Sequence, residues 1–490
     1  MSSGTIALGL IVGIVAVAAV VGFLAGARRK MDLEQWTVAG RGFGVVLVFL
    51  LMAGEVYTTF SFLGASGWAY SRGGPTLYVL AYLTLAYVVS FFILPPLWEA
   101  GRQHRLQTQP DFFKARYDNK YLAGLVCVLG MLSLIPYIQL QLTGVGIIVS
   151  TASFGSIGRV PAMSATVVLL VAFVFANGVR AVAWVSVIKD LLMLIAAVAI
   201  GIGVPLVHFG GIGPMFAALI DARPAHLTMP GATANLGHAW FISTVMLTSL
   251  GFYMWPHAFA ATFTAKSADT LRRNAVVMPL YTLTLVFIFF AGLATVLIVP
   301  GLANGDLALL TAVRQSFPSW FLGVVGGAGA LSAMVPASIF ILTGATLFAK
   351  NLYRPLFAPT MTDAQLTRLA RAMVIVLGST SLGLAIYGSS TLVSLLLTGY
   401  AGVTQFFPGV VLGLYWRRAA APAVLAGMLI GVLTAVVLMN THRDPVFGLN
   451  AGFVALCVNF LVAVAGSLLI PARDASRDMA LLSTAAASPE

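Results

Sequence analysis

Charge is what this sequence has least of. Only 9% of its 490 residues are Asp, Glu, Lys or Arg, while 60% are hydrophobic and the mean hydropathy is +0.98. A soluble globular chain carries roughly 25% charged residues, so a water-facing surface is excluded. The chain reads as a polytopic membrane protein without an attached soluble domain. Cysteine is nearly absent as well. Cys127 and Cys457 both fall in apolar runs, which excludes a disulfide framework and a thiolate metal site. Two catalytic signatures are missing: there is no G-x-x-x-x-G-K-[ST] loop for ATP-driven transport, and neither H-E-x-x-H nor paired intramembrane acids for a hydrolase. Neither an enzyme nor an organic cofactor is expected.

What is present is a succession of apolar runs. About 20 residues suffice to cross the hydrocarbon core as a helix. Thirteen runs qualify, at approximately 5–26, 43–70, 76–96, 121–150, 160–177, 186–207, 237–262, 274–299, 319–348, 372–388, 391–416, 420–439 and 449–471. They are continuous and do not alternate, which predicts an all-α protein and not a barrel. No basic residue precedes the first run, whereas Arg28, Arg29 and Lys30 follow it, so it is not a cleavable signal and the N-terminus lies outside. Alternating from there, 22 of the 27 Lys and Arg fall on the cytoplasmic side. The other five are Arg72, Arg159, Arg223, Arg314 and Arg443. This asymmetry matches the positive-inside rule and puts the C-terminus inside. On this count no basic residue lies deep in a span. The net charge of +12 then marks orientation, with the lipid bilayer as partner and no nucleic acid.

One acid interrupts this order. Glu55 sits within Met52-Ala53-Gly54-Glu55-Val56-Tyr57-Thr58-Thr59, where apolar sequence gives way to glycine, an acid and three hydroxyls. An ionised side chain at the bilayer centre costs at least ~2.5–3.5 kcal/mol, so it marks function by default; the alternative is a structural carboxylate bonded to a neighbouring helix. Gly54 weakens the helix, and a break exposes carbonyls on one side and a positive dipole end on the other. A second interruption comes at Gly251-Phe252-Tyr253-Met254-Trp255-Pro256-His257, where Pro256 removes a backbone donor. With the first span set aside, the two interruptions lie five helices apart. That spacing points to an inverted-repeat transporter with its site at the midplane.

Four further stretches carry a resemblance. They are Thr108-Gln109-Pro110-Asp111-Phe112-Phe113-Lys114-Ala115-Arg116-Tyr117, Asn177-Gly178-Val179-Arg180-Ala181-Val182-Ala183-Trp184, Pro256-His257 followed by Ala265-Lys266-Ser267 and Leu271-Arg272-Arg273, and Phe407-Pro408 leading to Gly413-Leu414-Tyr415-Trp416-Arg417-Arg418. In this order the chain resembles the sodium:solute symporter family over about residues 5–472. The resemblance implies a leucine-transporter-type 5+5 inverted repeat of ten helices at 43–418. An extra helix and loop would precede it at 1–42, two helices would follow at 419–471, and 472–490 would form a cytoplasmic tail. Gly54-Glu55-Val56-Tyr57-Thr58 and the Gly251–His257 stretch look most like the monocarboxylate permease branch, which implies a small organic anion such as lactate or pyruvate as substrate. Proline, sugar or pantothenate transport, or a transporter-like sensor with a separate signalling partner, are the rival readings.

The resemblance also implies a sodium site between the broken first core helix and the eighth. Carbonyls of Ala53 and Val56 could supply one half. The usual hydroxyl pair of the eighth falls on Val335 and Pro336, which offer none, leaving Ser332 one turn earlier and the carbonyl freed by Pro336. The expected metal site is therefore a depleted Na+ site at Ala53, Val56 and Ser332. Proton coupling through Glu55 stands beside it, because a partly desolvated carboxylate can load and release a proton.

A carboxylate substrate needs donors, and with no basic residue expected in the core these fall to a half-helix N-terminus and to Tyr57, Thr58 and Thr59. A hydroxyl within a helix also bonds its own backbone, which is the plainer alternative. Of Gln139 and Gln141 only one can face the cavity, since neighbours two apart do not share a helical face. Tyr253 and Trp255 flank the second break, and Tyr400, Thr404 and Gln405 form a polar stretch in the tenth core helix. Lys189 and Asp190 are expected to pair at the cytoplasmic boundary, and His257 to be structural at the inner end of its helix. Asp111, Arg116, Arg180, Arg272 and Arg273 are expected to fix the inner loops. The composition fits a bacterial cytoplasmic membrane, and no obligatory protein partner is evident.

Overall fold

In lipid, backbone N–H and C=O groups find no water, so a spanning chain satisfies them within helices. The protein follows this rule. A computed structural model describes residues 2–26 and 41–470, with the backbone alone at 25–26 and 176–181. Among the described residues the only extended pairings are two isolated bridges, Phe43 with Ala265 and Val446 with Leu449. Among the described residues, ten helices are long and apolar enough to cross a membrane: Ser3–Leu24, Gly74–Gln103, Lys120–Ala152, Val182–Phe209, Ala268–Ile298, Ser319–Phe357, Asp363–Tyr387, Leu392–Tyr415, Ala421–Asn440 and Ala451–Leu469. Of the three remaining expected spans, 43–70 and 237–262 are interrupted, and 160–177 lies within the helix Arg159–Phe209. Arg28, Arg29, Lys30, the side chain of Arg180 and the tail 472–490 lie outside the described residues.

The first interrupted segment runs as Val45–Ala53, then an irregular turn, a π-type turn at Phe60–Gly64 and a helix at Ala65–Ser71. The second runs as His238–Gly251, a tight 3₁₀ turn at Phe252–Met254 and a helix at Pro256–Thr262. Trp255 between them is extended, with φ −58° and ψ 131°, because proline clashes with a helical residue before it.

Where the sequence predicts a loop between spans ending at 177 and starting at 186, the backbone stays helical from Arg159 to Phe209 over 51 residues. A straight helix of that length would run about 76 Å, more than twice a ~30 Å hydrocarbon core. The segment is instead two antiparallel limbs. Phe173 and Val185, one on each limb, both lie against Gly22. Both free ends also reach one edge: His208 lies 2.9 Å from Ser316, and Arg314 covers the ring of Phe154 just before Arg159.

Opposite ends of the helices sort into two edges. At one, Arg41 donates to the carbonyl of Leu106 and Trp98 to that of Ala265, at 2.6 and 2.8 Å. There the short helix Gln109–Tyr117 is bolted to two others. Lys350 and Asn351 donate to Asp111 at 2.7 and 2.8 Å, and Arg116 donates to the Gly413 carbonyl at 2.7 Å. Burial alone would raise the Asp111 carboxyl, but the Lys350 ammonium and the donors of Gln107 and Asn351 outweigh it and hold it below the ordinary carboxylate range. At the other edge the long loop 208–236 carries the helix Ile212–Ala222 and covers the end of the first broken segment. His226 reaches the Tyr70 carbonyl at 3.1 Å, and Gly73, at φ 71°, lies so close to the His226 backbone that a Cβ would sit 2.2 Å from its carbonyl oxygen.

Candidate functional site

The first break begins at Gly54, and its carbonyls divide into two groups. That of Ala53 accepts from Val56 and Tyr57 N–H at 2.9 and 3.4 Å, and that of Val56 accepts from the Ser61 hydroxyl. These two, expected to face a cation, are turned back onto their own segment. In a regular helix the Gly54 carbonyl would accept from Thr58, but the Thr58 N–H goes to the Ser61 hydroxyl at 3.0 Å instead. The carbonyls of Gly54 and Tyr57 face Lys189, whose Nζ lies 2.6 and 3.1 Å from them and 2.9 Å from Asp190 Oδ1. Lys189 is wholly buried.

This corrects the expectation that no basic residue lies deep in a span. Lys189 is fully buried against the break at Gly54 and Tyr57 and does not snorkel to the boundary. The phenol of Tyr281 lies beside the Asp190 carboxylate, and Ser186 faces Gly54. Ser332, one turn from the expected hydroxyl positions, gives its hydroxyl to the carbonyl of Gly329 at 2.7 Å.

Glu55 points the other way. Its Oε2 lies 3.6 Å from His257 Nε2, and its buried Oε1 has no hydrogen-bond partner. His257 therefore does not sit at the end of its helix, as expected, but near its start after the second break. There it is buried, with the ring of Phe340 tilted against it at 4.3 Å. The two broken segments meet through this pair. A small cavity of about 30 Å³ runs from Glu55 and His257 past Thr343 and Thr346 to Gln107 and Thr108 at the Asp111 edge.

The remaining expected residues fall into separate places. Thr59 donates to Gln141 Oε1 twice, from its hydroxyl at 2.7 Å and from its N–H at 3.3 Å. Gln139, two positions earlier, donates to the Leu384 carbonyl at 3.1 Å on another helix. Thr58 is buried and bonded locally, its hydroxyl accepting from the Phe60 N–H. Tyr57 turns from the midplane to bond the Thr284 hydroxyl and pack edge-on against Tyr281 at 5.0 Å. Trp255 meets Tyr137 at 4.7 Å and Tyr400 at 5.5 Å, and Tyr400 meets Tyr82 at 5.9 Å, so the break is roofed with aromatic rings. Tyr253 packs on Phe252 at 4.9 Å, and Thr404 donates to the Leu247 carbonyl at 3.2 Å. Sequence reasoning missed Tyr137 and Tyr82. Tyr137 lies one turn before Gln141, which is the signal that puts it on the same face.

Two interrupted helices with buried ionisable groups at their breaks, enclosed by continuous apolar crossings, define a secondary transporter. The chain belongs to the sodium:solute symporter family, whose profile matches residues 36–431. It is 42% identical to the uncharacterized symporter YhjB of Bacillus subtilis, over 97% of this chain and 99% of that one. It is 27% identical to a monocarboxylate transport permease protein of Rhizobium johnstonii, over 93% and 95%. Among solved structures, a Na+-coupled sialic acid symporter in a substrate-bound outward-open state superposes with a TM-score of 0.80 at 18% identity, covering 95% of this chain and 98% of that one. MhsT in complex with L-phenylalanine gives 0.53 at 12% identity, over 86% and 98%. The fold is thus of the leucine-transporter type, and family and fold are those of transporters and not of enzymes.

Proposed function

We propose that this symporter imports a small monocarboxylate of the lactate and pyruvate kind by alternating access, driven by an inward H+ or Na+ gradient. The observation that carries the substrate class is the amide of Gln141. Thr59 offers two donors to it, one of them a backbone N–H that can only donate, so the amide oxygen must face Thr59. The Gln141 NH₂ group is then left buried without a partner. An unmet buried donor is unfavourable until an acceptor arrives, and a carboxylate is an acceptor-only group. The relative named as a monocarboxylate permease supports the same class. Glu55, at the head of the cavity toward Gln107 and Thr108, is the acid through which a proton would be loaded.

In the same reading the ten long helices, the Arg159–Phe175 limb and the two broken segments make thirteen crossings of a bacterial cytoplasmic membrane. The N-terminus is outside and the Asp111 edge inside, with the inverted-repeat core at 43–418. Uptake of radiolabelled pyruvate and lactate into proteoliposomes tests the proposal, with Gln141→Leu alongside. The expected result is gradient-driven uptake in which the variant raises KM by roughly tenfold, the equivalent of one lost hydrogen bond to a charged group. Absence of uptake of either acid under both gradients refutes the substrate class.

A further inference from the structure

The geometry at the first break points to something the symporter reading alone does not contain. We infer that the Lys189 ammonium is a built-in cation that takes the place of a bound sodium ion at the broken helix, so that transport by this chain needs no Na+ there. The inference rests on the reading of the chain as a cation-coupled symporter and concerns which cation holds the break.

An ammonium has three N–H donors and no acceptor. Lys189 Nζ has three acceptors around it: the carbonyls of Gly54 and Tyr57 and the carboxylate of Asp190. Two of these contacts are hydrogen bonds and the third is an ion pair at 2.9 Å, a set that suits the charged form. A neutral amine has two N–H groups, so one oxygen would lose its donor and face the amine lone pair instead. Two carbonyls and a carboxylate are also the kind of oxygen set that a small hard cation needs in exchange for its water shell. Here a covalently attached charge already occupies that set. A sodium ion would have to share these oxygens with a like charge at contact distance, in a place from which water is excluded.

Among the described residues, the facing helix offers few side-chain oxygens. On the helix Ser319–Thr346, the face carrying Leu331, Met334, Val335 and Ser338 lines the same cleft as Val185, one turn before Lys189. Its hydroxyls are turned to their own backbone, Ser332 to Gly329 and Ser338 to Met334. The ionisable groups around Lys189 are Asp190 on its own limb, Glu55 and Tyr57 on the broken segment, and Tyr281 on the helix Ala268–Thr282. Asp190 balances the ammonium, and Glu55 is engaged on its far side with His257.

The test needs no substrate. The purified full-length protein is melted in detergent with saturating NaCl or choline chloride, and ²²Na+ binding is measured in parallel. Wild type is expected to show neither a sodium-specific rise in melting temperature nor saturable ²²Na+ binding. Lys189→Ala leaves the three oxygens without their cation and is expected to gain both. Sodium-specific stabilisation or saturable binding in wild type overturns the inference, and that measurement stands even if the variant fails to fold. In proteoliposomes, pyruvate uptake driven by an inward pH gradient in sodium-free buffer supports it, and uptake that strictly requires sodium overturns it. If no acid is taken up under any gradient, the monocarboxylate reading fails, while the sodium measurements still decide the role of Lys189.

Discussion

Replacing Lys189 by methionine keeps the length and unbranched shape of the side chain and removes only its charge and donors. Three acceptors lose their partner at once. The Asp190 carboxylate, 5% exposed as a side chain, becomes an unpaired buried charge. Breaking a buried ion pair from one side costs about 3–5 kcal/mol, and the two stranded carbonyls belong to the same loss. Asp190→Leu alone strands the ammonium and is expected to cost a similar amount. In Lys189→Met/Asp190→Leu neither charge of the pair remains and only the carbonyls are unmet, so the double variant is expected to be more stable than either single one, by roughly 2 kcal/mol. Melting curves in detergent, followed by tryptophan fluorescence, give the order directly. Single losses that simply add in the double variant, or a Lys189→Met protein melting with wild type, would refute the reading of Lys189 and Asp190 as one coupled unit.

Two other outcomes follow from the same structure. Asp306 lies outside the spans, and burial raises its carboxyl from 3.8 to about 6, although the Leu392 N–H and Arg159 oppose the rise. Its Oδ2 accepts from Leu392 at 3.2 Å, which ties its loop to the start of the helix Leu392–Val403. The folded state therefore binds a proton before the unfolded chain does. Stability is expected to rise as pH falls through about 6 and to level off near 4, by about 3 kcal/mol in full; Asp306→Asn should flatten that slope in melting curves, and an unchanged slope would sink the assignment. At Gly144 an added Cβ would meet Thr59 Cβ and Cγ2 at 2.5 Å. Gly144→Ala is expected to destabilise by about 1–3 kcal/mol through overpacking and to raise the KM for pyruvate, because Thr59 holds the Gln141 oxygen. A shift in stability with KM unmoved would separate the two effects and remove Thr59 from the binding argument.

Much of this architecture was legible in the order of residues. The apolar runs lie close to the observed helices because lipid forces each crossing to be long, continuous and internally bonded. Glu55 and Pro256 stood out for the same reason, as residues that lipid does not tolerate without compensation. The helical period separated Gln139 from Gln141, and their amides do go to different helices. The division of Arg159–Phe209 into two limbs was legible as well, in the separate apolar runs 160–177 and 186–207. Lys189 falls near the start of the second run, and only its packing against the first broken segment puts it in the interior.

Local chemistry therefore determined that this chain crosses the membrane repeatedly, which helices break and which acid lies between them. The identity of the partners was decided by packing. Lys189 donates to a carbonyl 135 residues earlier, and His257 faces Glu55 across two breaks. Neither pairing leaves a trace in local periodicity. A hydrogen bond depends on distance and direction in space, while a sequence specifies neighbours only along the chain. Whether the oxygens at Gly54 and Tyr57 face a mobile ion or a tethered ammonium is thus settled only when the limbs fold against one another.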